Sequence, residues 1–266
     1  MTTLSAWLEG IGLLGPGLPD WPTAAQVLRG TQPWVHAPTV LPAPQALPAA
    51  ERRRTGAVVK LALAAGLEAV AHAGADAATL PAVFTSSGGD GQNCDEICRT
   101  LASSERQLSP TRFHNSVHNA AAGYWGIATG ATAACNALCA YDASFGAGLL
   151  EALTQVVVER SAVLLVAYDA RYPEPLYGVR PIPDAFGVAL VLAPEPGARP
   201  LARLEAQMSE APADTLTDTA LEKLRGAIPA ARSLPLLAQL ARQAPGRVTI
   251  DYLDPWRIAV ELDPCP

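Results

Sequence analysis

Charge is scarce in this chain, and histidine scarcer. Only 17% of its 266 residues are Asp, Glu, Lys or Arg, while 50% are hydrophobic. That balance excludes a disordered chain and points to a well-filled globular core. Lys and Arg number 19 against 25 acidic residues, a formal net charge of −6. Nucleic acid is therefore not an expected partner, because phosphate binding needs clustered basic side chains. The one basic cluster, "ERRR" at 51–54, reads as the solvated start of a helix. Nowhere is there a run of about 18 apolar residues, and no basic leader precedes an apolar segment at the N-terminus. A cytoplasmic chain without membrane insertion is expected.

Histidine occurs four times, at 36, 72, 114 and 118, and not beyond. The five cysteines (94, 98, 135, 139 and 265) are an odd set, unlike a secreted disulfide framework. Cys94 and Cys98 are spaced like one helical turn, but no second Cys/His pair lies near by. No metal and no cofactor are expected.

What the chain does have is organised in three parts. Residues 1–50 are rich in Pro and Gly ("LLGPGLPDWP", "TQPWVHAPTVLPAPQALPAA") and read as an irregular wrapping arm with one short helix near 23–29. In residues 51–194 the pattern becomes regular. Val58, Leu61, Ala62, Ala65 and Val70 repeat at helical spacing, and Gly74 ends that helix. "LPAVFTSSGGDG" reads as a short buried strand entering a Gly-rich turn. Helices are predicted near 93–106 and over Ala120–Ile127, and a short apolar strand over 134–140. A helix over 144–160 and buried strands in "AVLLVAYD" and "AFGVALVLA" follow, an order that implies a parallel crossover. Residues 195–266 carry two helices (215–226 and 234–243) and a strand pair near 248–262, expected to cover the sheet.

The blocks "SPTRFHNSVHNAAAGYWGIATG", "ASFGAGLLEA", "VLLVAYDA" and "DAFGVALVL" resemble the amino-terminal half of β-ketoacyl synthases. They are most similar to the short ketosynthase-like proteins of bacterial pigment clusters that make aryl polyenes, xanthomonadin-type or alkylresorcinol products. The resemblance covers roughly residues 50–194. It implies an α/β, thiolase-like layered fold (helix, sheet, helix, sheet, helix), here mainly the N-terminal ketosynthase half with a short α+β C-terminal extension. It also implies a dimer, a cysteine nucleophile at the turn between a strand and a buried helix, and two catalytic histidines in the second half. At a helix N-terminus such a thiolate is favoured by the backbone amides.

Counting forward from "GYWGIATG" places the nucleophile on Asp142, and counting backward from "VLLVAYD" places it on Ala143. Neither count reaches Cys135 or Cys139, and no histidine follows residue 118. Cys135 and Cys139 then read as buried packing residues facing one side of an interface strand, Cys135, Asn136, Ala137, Leu138, Cys139 and Ala140. Ser144 or Asp142 reads as a helix cap. His114, Asn115, His118 and Asn119 are expected to gather as a structural polar cluster. The expected function is that of a chain-length-factor-type subunit without condensing activity. It would form a heterodimer with an active ketosynthase, or a homodimer, meeting an acyl carrier protein through the complex. The alternative is a small acyl-thioester transferase or hydrolase using Cys139 or Ser144.

Overall fold

The computed structural model describes residues 3–265. Its strands are β1 (Leu4–Leu14), β2 (Ala82–Thr85), β3 (Cys135–Leu138), β4 (Val163–Asp169), β5 (Phe186–Ala193), β6 (Ala202–Ser209), β7 (Gly246–Asp251) and β8 (Arg257–Pro264). The helices of the first half are α1 (Trp21–Arg29), α2 (Ala49–Arg52), α3 (Ala57–Ala73), α4 (Gly91–Ala102), α5 (Pro110–His114) and α6 (Ala120–Thr129). Those of the second half are α7 (Ser144–Glu159), α8 (Leu176–Val179), α9 (Thr219–Ala227) and α10 (Leu234–Arg242). All the strands form one mixed sheet in the order β3-β2-β4-β5-β1-β6-β8-β7. Both β3 and β4 run parallel to β2, so the connection through α7 is the parallel crossover predicted.

The sheet separates two apolar layers. Along β4, Val163, Leu165 and Ala167 enter the layer beneath α7 and α10, while Leu164, Val166 and Tyr168 enter the layer beneath α3 and α6. A strand covered on both faces needs apolar residues at every position, hence the unbroken "VLLVAYD". These layers are three of the five that the resemblance implies; a second sheet is not found among the described residues.

The irregular arm expected over residues 1–50 is corrected at its start. Leu4–Leu14 is a strand inside the sheet, antiparallel to β5 and β6. Glu9 and two glycines hide its period. Glu9 is nevertheless buried, and its carboxylate accepts from the Gly197 amide at 2.9 Å. Gly10 and Gly12 permit close approach of α3: a Cβ there would lie 2.2 Å from Ala69 O and 2.0 Å from Ala65 O. The Glu68 side chain of α3 accepts from the amides of Leu13 (2.8 Å) and Trp21 (2.7 Å).

The C-terminal segment also departs from expectation. Its two helices and strand pair are present, but β6, β8 and β7 lengthen the sheet rather than only covering it. β7 closes that edge. The Asp214 amide donates to Thr249 O at 2.8 Å, and the Asp214 carboxylate accepts from the Thr249 amide at 2.7 Å. At the opposite edge nothing comparable covers β3 among the described residues.

Candidate functional site

The chain leaves β3 through Cys139 and Ala140, makes a 3-10 turn over Tyr141–Ala143 and enters α7. Tyr141 stands at φ 52, left-handed backbone that a bulky residue adopts only under constraint. Ser144 provides that constraint. Its hydroxyl accepts from the Ala140 amide (3.0 Å) and donates to Tyr141 O (2.8 Å). The Thr85 hydroxyl donates to Ser144 O at 2.8 Å, tying the turn to β2. Neither Ser144 nor Asp142 is the helix cap expected: Ser144 holds the turn, and the N-cap of α7 is Ala143, without a side-chain bond.

Of the positions counted for a nucleophile, Ala143 is buried and Asp142 is an ion-paired carboxylate, 2.7 Å from Arg180 and 3.2 Å from Arg232. The ladder continues from Arg232 to Asp251 (3.8 Å) and Arg225 (2.6 Å from Asp251). Arg180 also lies over the Tyr141 ring, with Cζ 3.5 Å from its centroid. The residue in the strained position is therefore Tyr141, one ahead of the forward count and two ahead of the backward one. No glycine or asparagine marks it in "LCAYDAS", which is why sequence reasoning passed over it.

Asp169, at the end of β4, is the second feature that sequence reasoning missed. Its Oδ1 accepts from the Ser87 amide (2.9 Å) and hydroxyl (2.6 Å), and its Oδ2 from the Ala230 amide (2.8 Å). One carboxylate so ties the loop after β2 to the C-terminal segment. Burial pushes its pKa up to about 6, against the opposing pull of those donors and of Arg180. Tyr172 lies beside it, its phenol raised by burial and by the Asp169 charge. Tyr172 lines a crevice of about 510 Å³ with Thr39, Ala170 and Tyr177.

Cys135 and Cys139 are exposed in the single chain, contrary to the burial expected of them. β3 is an edge strand, and its outer side has no neighbour to bury it. The Cys139 thiol donates to Ser87 O at 3.3 Å, and Asn136 donates to Glu151 of α7 at 3.0 Å. Leu138 packs on the layer beneath α7.

The polar cluster is corrected too, because it divides. Buried Asn115 accepts from Tyr124 OH (3.1 Å) and donates to Arg54 O (2.7 Å), with His114 edge-on to the Tyr124 ring. His118 faces the other way and bonds Ser86 O through Nε2 at 3.1 Å. Asn119 is exposed and makes no side-chain cap for α6. The α5–α6 link turns the two histidines to different neighbours. Among the described residues no three His, Cys, Asp or Glu side chains converge as a metal site.

The sequence profile of the β-ketoacyl synthase N-terminal domain matches residues 24–254. The chain belongs to the β-ketoacyl synthase family. The match extends past the 50–194 expected, into both the N-terminal arm and the C-terminal segment. Comparison with curated protein sequences finds no match.

Solved structures share the family fold over the whole chain. One is the ketosynthase ApeO in complex with its chain length factor ApeC from Xenorhabdus doucetiae. A chain of it matches with TM-score 0.74 and 23% identity, over 97% of this chain and 99% of that one. The ishigamide ketosynthase/chain length factor matches with TM-score 0.72 and 14% identity, over 98% and 100% of the two chains. The AntDE:AntF complex, an acyl-carrier protein with its ketosynthase, matches with TM-score 0.76 and 11% identity, over 99% and 100%. The α/β, thiolase-like fold is thereby established. Among the described residues no helix is long and apolar enough to cross a membrane.

Proposed function

We propose that this β-ketoacyl synthase family member is a chain-length-factor-type subunit. It pairs with an active ketosynthase along β3, contributes a wall of the acyl tunnel and performs no condensation itself. The observation that carries this reading is the chemistry of the turn. Where the family resemblance implies a cysteine, the chain has Tyr141, Asp142, Ala143 and Ser144. Asp142 is occupied by two arginines, and the Ser144 hydroxyl is buried with both of its hydrogen bonds made within the turn. A serine nucleophile needs a base that takes its proton, and Ser144 donates that proton to a carbonyl. Cys139 likewise donates to Ser87 O, and His118 bonds Ser86 O, so no base is aimed at the thiol. The open edge of β3 supports pairing, since an uncovered edge strand is a ready site for a second chain. The similar solved assemblies, each involving a ketosynthase, set the kind of partner expected.

The test has two arms. Co-expression with a ketosynthase from the same gene neighbourhood should give one co-eluting complex at micromolar concentration. The isolated chain should not be labelled by a malonyl- or acyl-thioester probe. Labelling that disappears in Cys139→Ala or Ser144→Ala would support the transferase alternative and defeat this reading.

A further inference from the structure

We infer that Tyr141 and Arg180 form a preformed anchor that seats in the partner subunit docking along β3; the inference rests on the pairing proposed above. Three independent observations lead to it. The first is backbone geometry. Among the described residues two non-glycine residues besides Tyr141 have positive φ: Arg160 and Gln243, the C-caps of α7 and α10. There the left-handed conformation simply ends a helix. Tyr141 ends no helix, and strain held in that way collects at sites of contact and switching.

The second observation is exposure. Tyr141 is left 60% exposed, while two hydrogen bonds of Ser144 hold its turn. A constrained backbone that presents a large ring to solvent serves no packing purpose within this chain. The third is rigidity. The Arg180 guanidinium covers one ring face at 3.5 Å and is itself fixed by Asp142, which Arg232 grips from the other oxygen. The pair therefore has little rotamer freedom left to lose on docking. Tyrosine and arginine are also the residue types that dominate binding hot spots, through area and directed donors.

The position selects the occupant. Tyr141 follows β3 by three residues, just past the end of the uncovered edge strand, so a chain pairing along that strand runs toward the exposed ring. Two arginines share Asp142, and Arg232 and Arg225 are matched in turn by Asp251 and Glu222. The charges beside the ring therefore balance, and what the surface offers is the exposed ring itself. A complementary partner offers an apolar slot for it. The occupant is a condensing subunit, not a second copy, in keeping with the ketosynthase–chain length factor assemblies that share this fold.

The experiment measures affinity for the co-expressed ketosynthase with wild type, Tyr141→Gly, Tyr141→Phe and, as a distant control, Val40→Ala. Glycine accepts the left-handed backbone, so Tyr141→Gly should keep the circular dichroism and unfolding midpoint of wild type. It should still weaken the complex by at least about 30-fold, as loss of a hot spot does. Phenylalanine retains the ring and should keep binding within about fivefold, close to a stacked pair without its hydroxyl; Val40→Ala, exposed in the arm, should bind as wild type. A complex that forms equally well with Tyr141→Gly overturns the anchor and leaves the pairing intact. Separate elution of the wild-type proteins overturns the pairing itself. Self-association weakened by Tyr141→Gly, without ketosynthase binding, overturns the choice of occupant.

Discussion

Asp169 shows what one buried carboxylate does here. Three donors from two distant segments meet it, so its removal uncouples the loop after β2 from Ala230. In Asp169→Asn the amide oxygen can still accept on one side, but its NH₂ confronts a donor on the other. A cost of about 1–3 kcal/mol follows from leaving a buried amide unsatisfied, measurable by urea unfolding at pH 7. The pH dependence has a definite sign. Burial raises the folded pKa from its ordinary 3.8 to about 6, so the folded chain holds this proton more tightly than the unfolded one. The resulting stabilisation is present below pH 3.8 and is lost as pH rises through about 6, with no further change above. Asn cannot titrate, so the variant should lack that part of the decline. An identical pH profile in the two proteins would refute this account of Asp169. None of it was legible in the sequence, where "AYDA" reads only as the end of a strand. The partner residues stand 82 and 61 positions away, and such a meeting depends on topology. Asp142 was found by counting, since it lies on the turn, but its arginine partners come from positions 180 and 232.

At the level of elements, periodicity located what was regular and missed what was covered. β4, β5 and α7 carry unbroken apolar patterns and were predicted close to their observed ends, as was the end of α3, which starts at Ala57 and not at the "ERRR" expected to open it. β1 was not, because its glycines are there for contact and not for turning. Gly10 and Gly12 let the α3 backbone lie against the strand, at distances no side chain permits. Gly12→Ala should therefore cost at least about 2 kcal/mol, since backbone atoms on both sides must move. Gly123→Ala is the matched contrast. It lies in α6 with nothing within 4 Å of the added carbon, so the gain in helix propensity should stabilise by about 0.5–1 kcal/mol. Thermal unfolding of both variants compares them directly. A tolerated Gly12→Ala would mean that the strand and α3 pack less closely than described. The histidine cluster failed for a related reason. Nearness in sequence suggested one cluster, but the helix breaks between His114 and His118, and each side chain follows its own segment.

At the scale of the molecule the two ends of the sheet differ. On the β7 side Asp214 satisfies both the amide and the carbonyl of Thr249, a local plug against a further strand. On the β3 side the carbonyls of Ala134 and Leu138 accept from Ala82 (2.9 Å) and Ser86 (3.3 Å) of the β2 segment. The alternation of a strand then directs the amides of Cys135 and Ala137 outward. Ala137→Pro removes one outward donor and no bond to β2, and proline is tolerated at such edge positions. The variant chain should fold with an unfolding free energy within about 1 kcal/mol of wild type, the range of a solvent-facing edge change. It should fail to co-elute with the ketosynthase, because the ladder between the two edge strands loses a bond and meets the ring. Asp214→Ala, at the plugged end, should leave that complex intact. If Ala137→Pro pairs as wild type does, the partner does not add to the sheet at β3, and the open edge has another use. If Asp214→Ala alone disrupts the complex, the pairing edge is β7, and the plug is a gate for the partner instead of a guard against it.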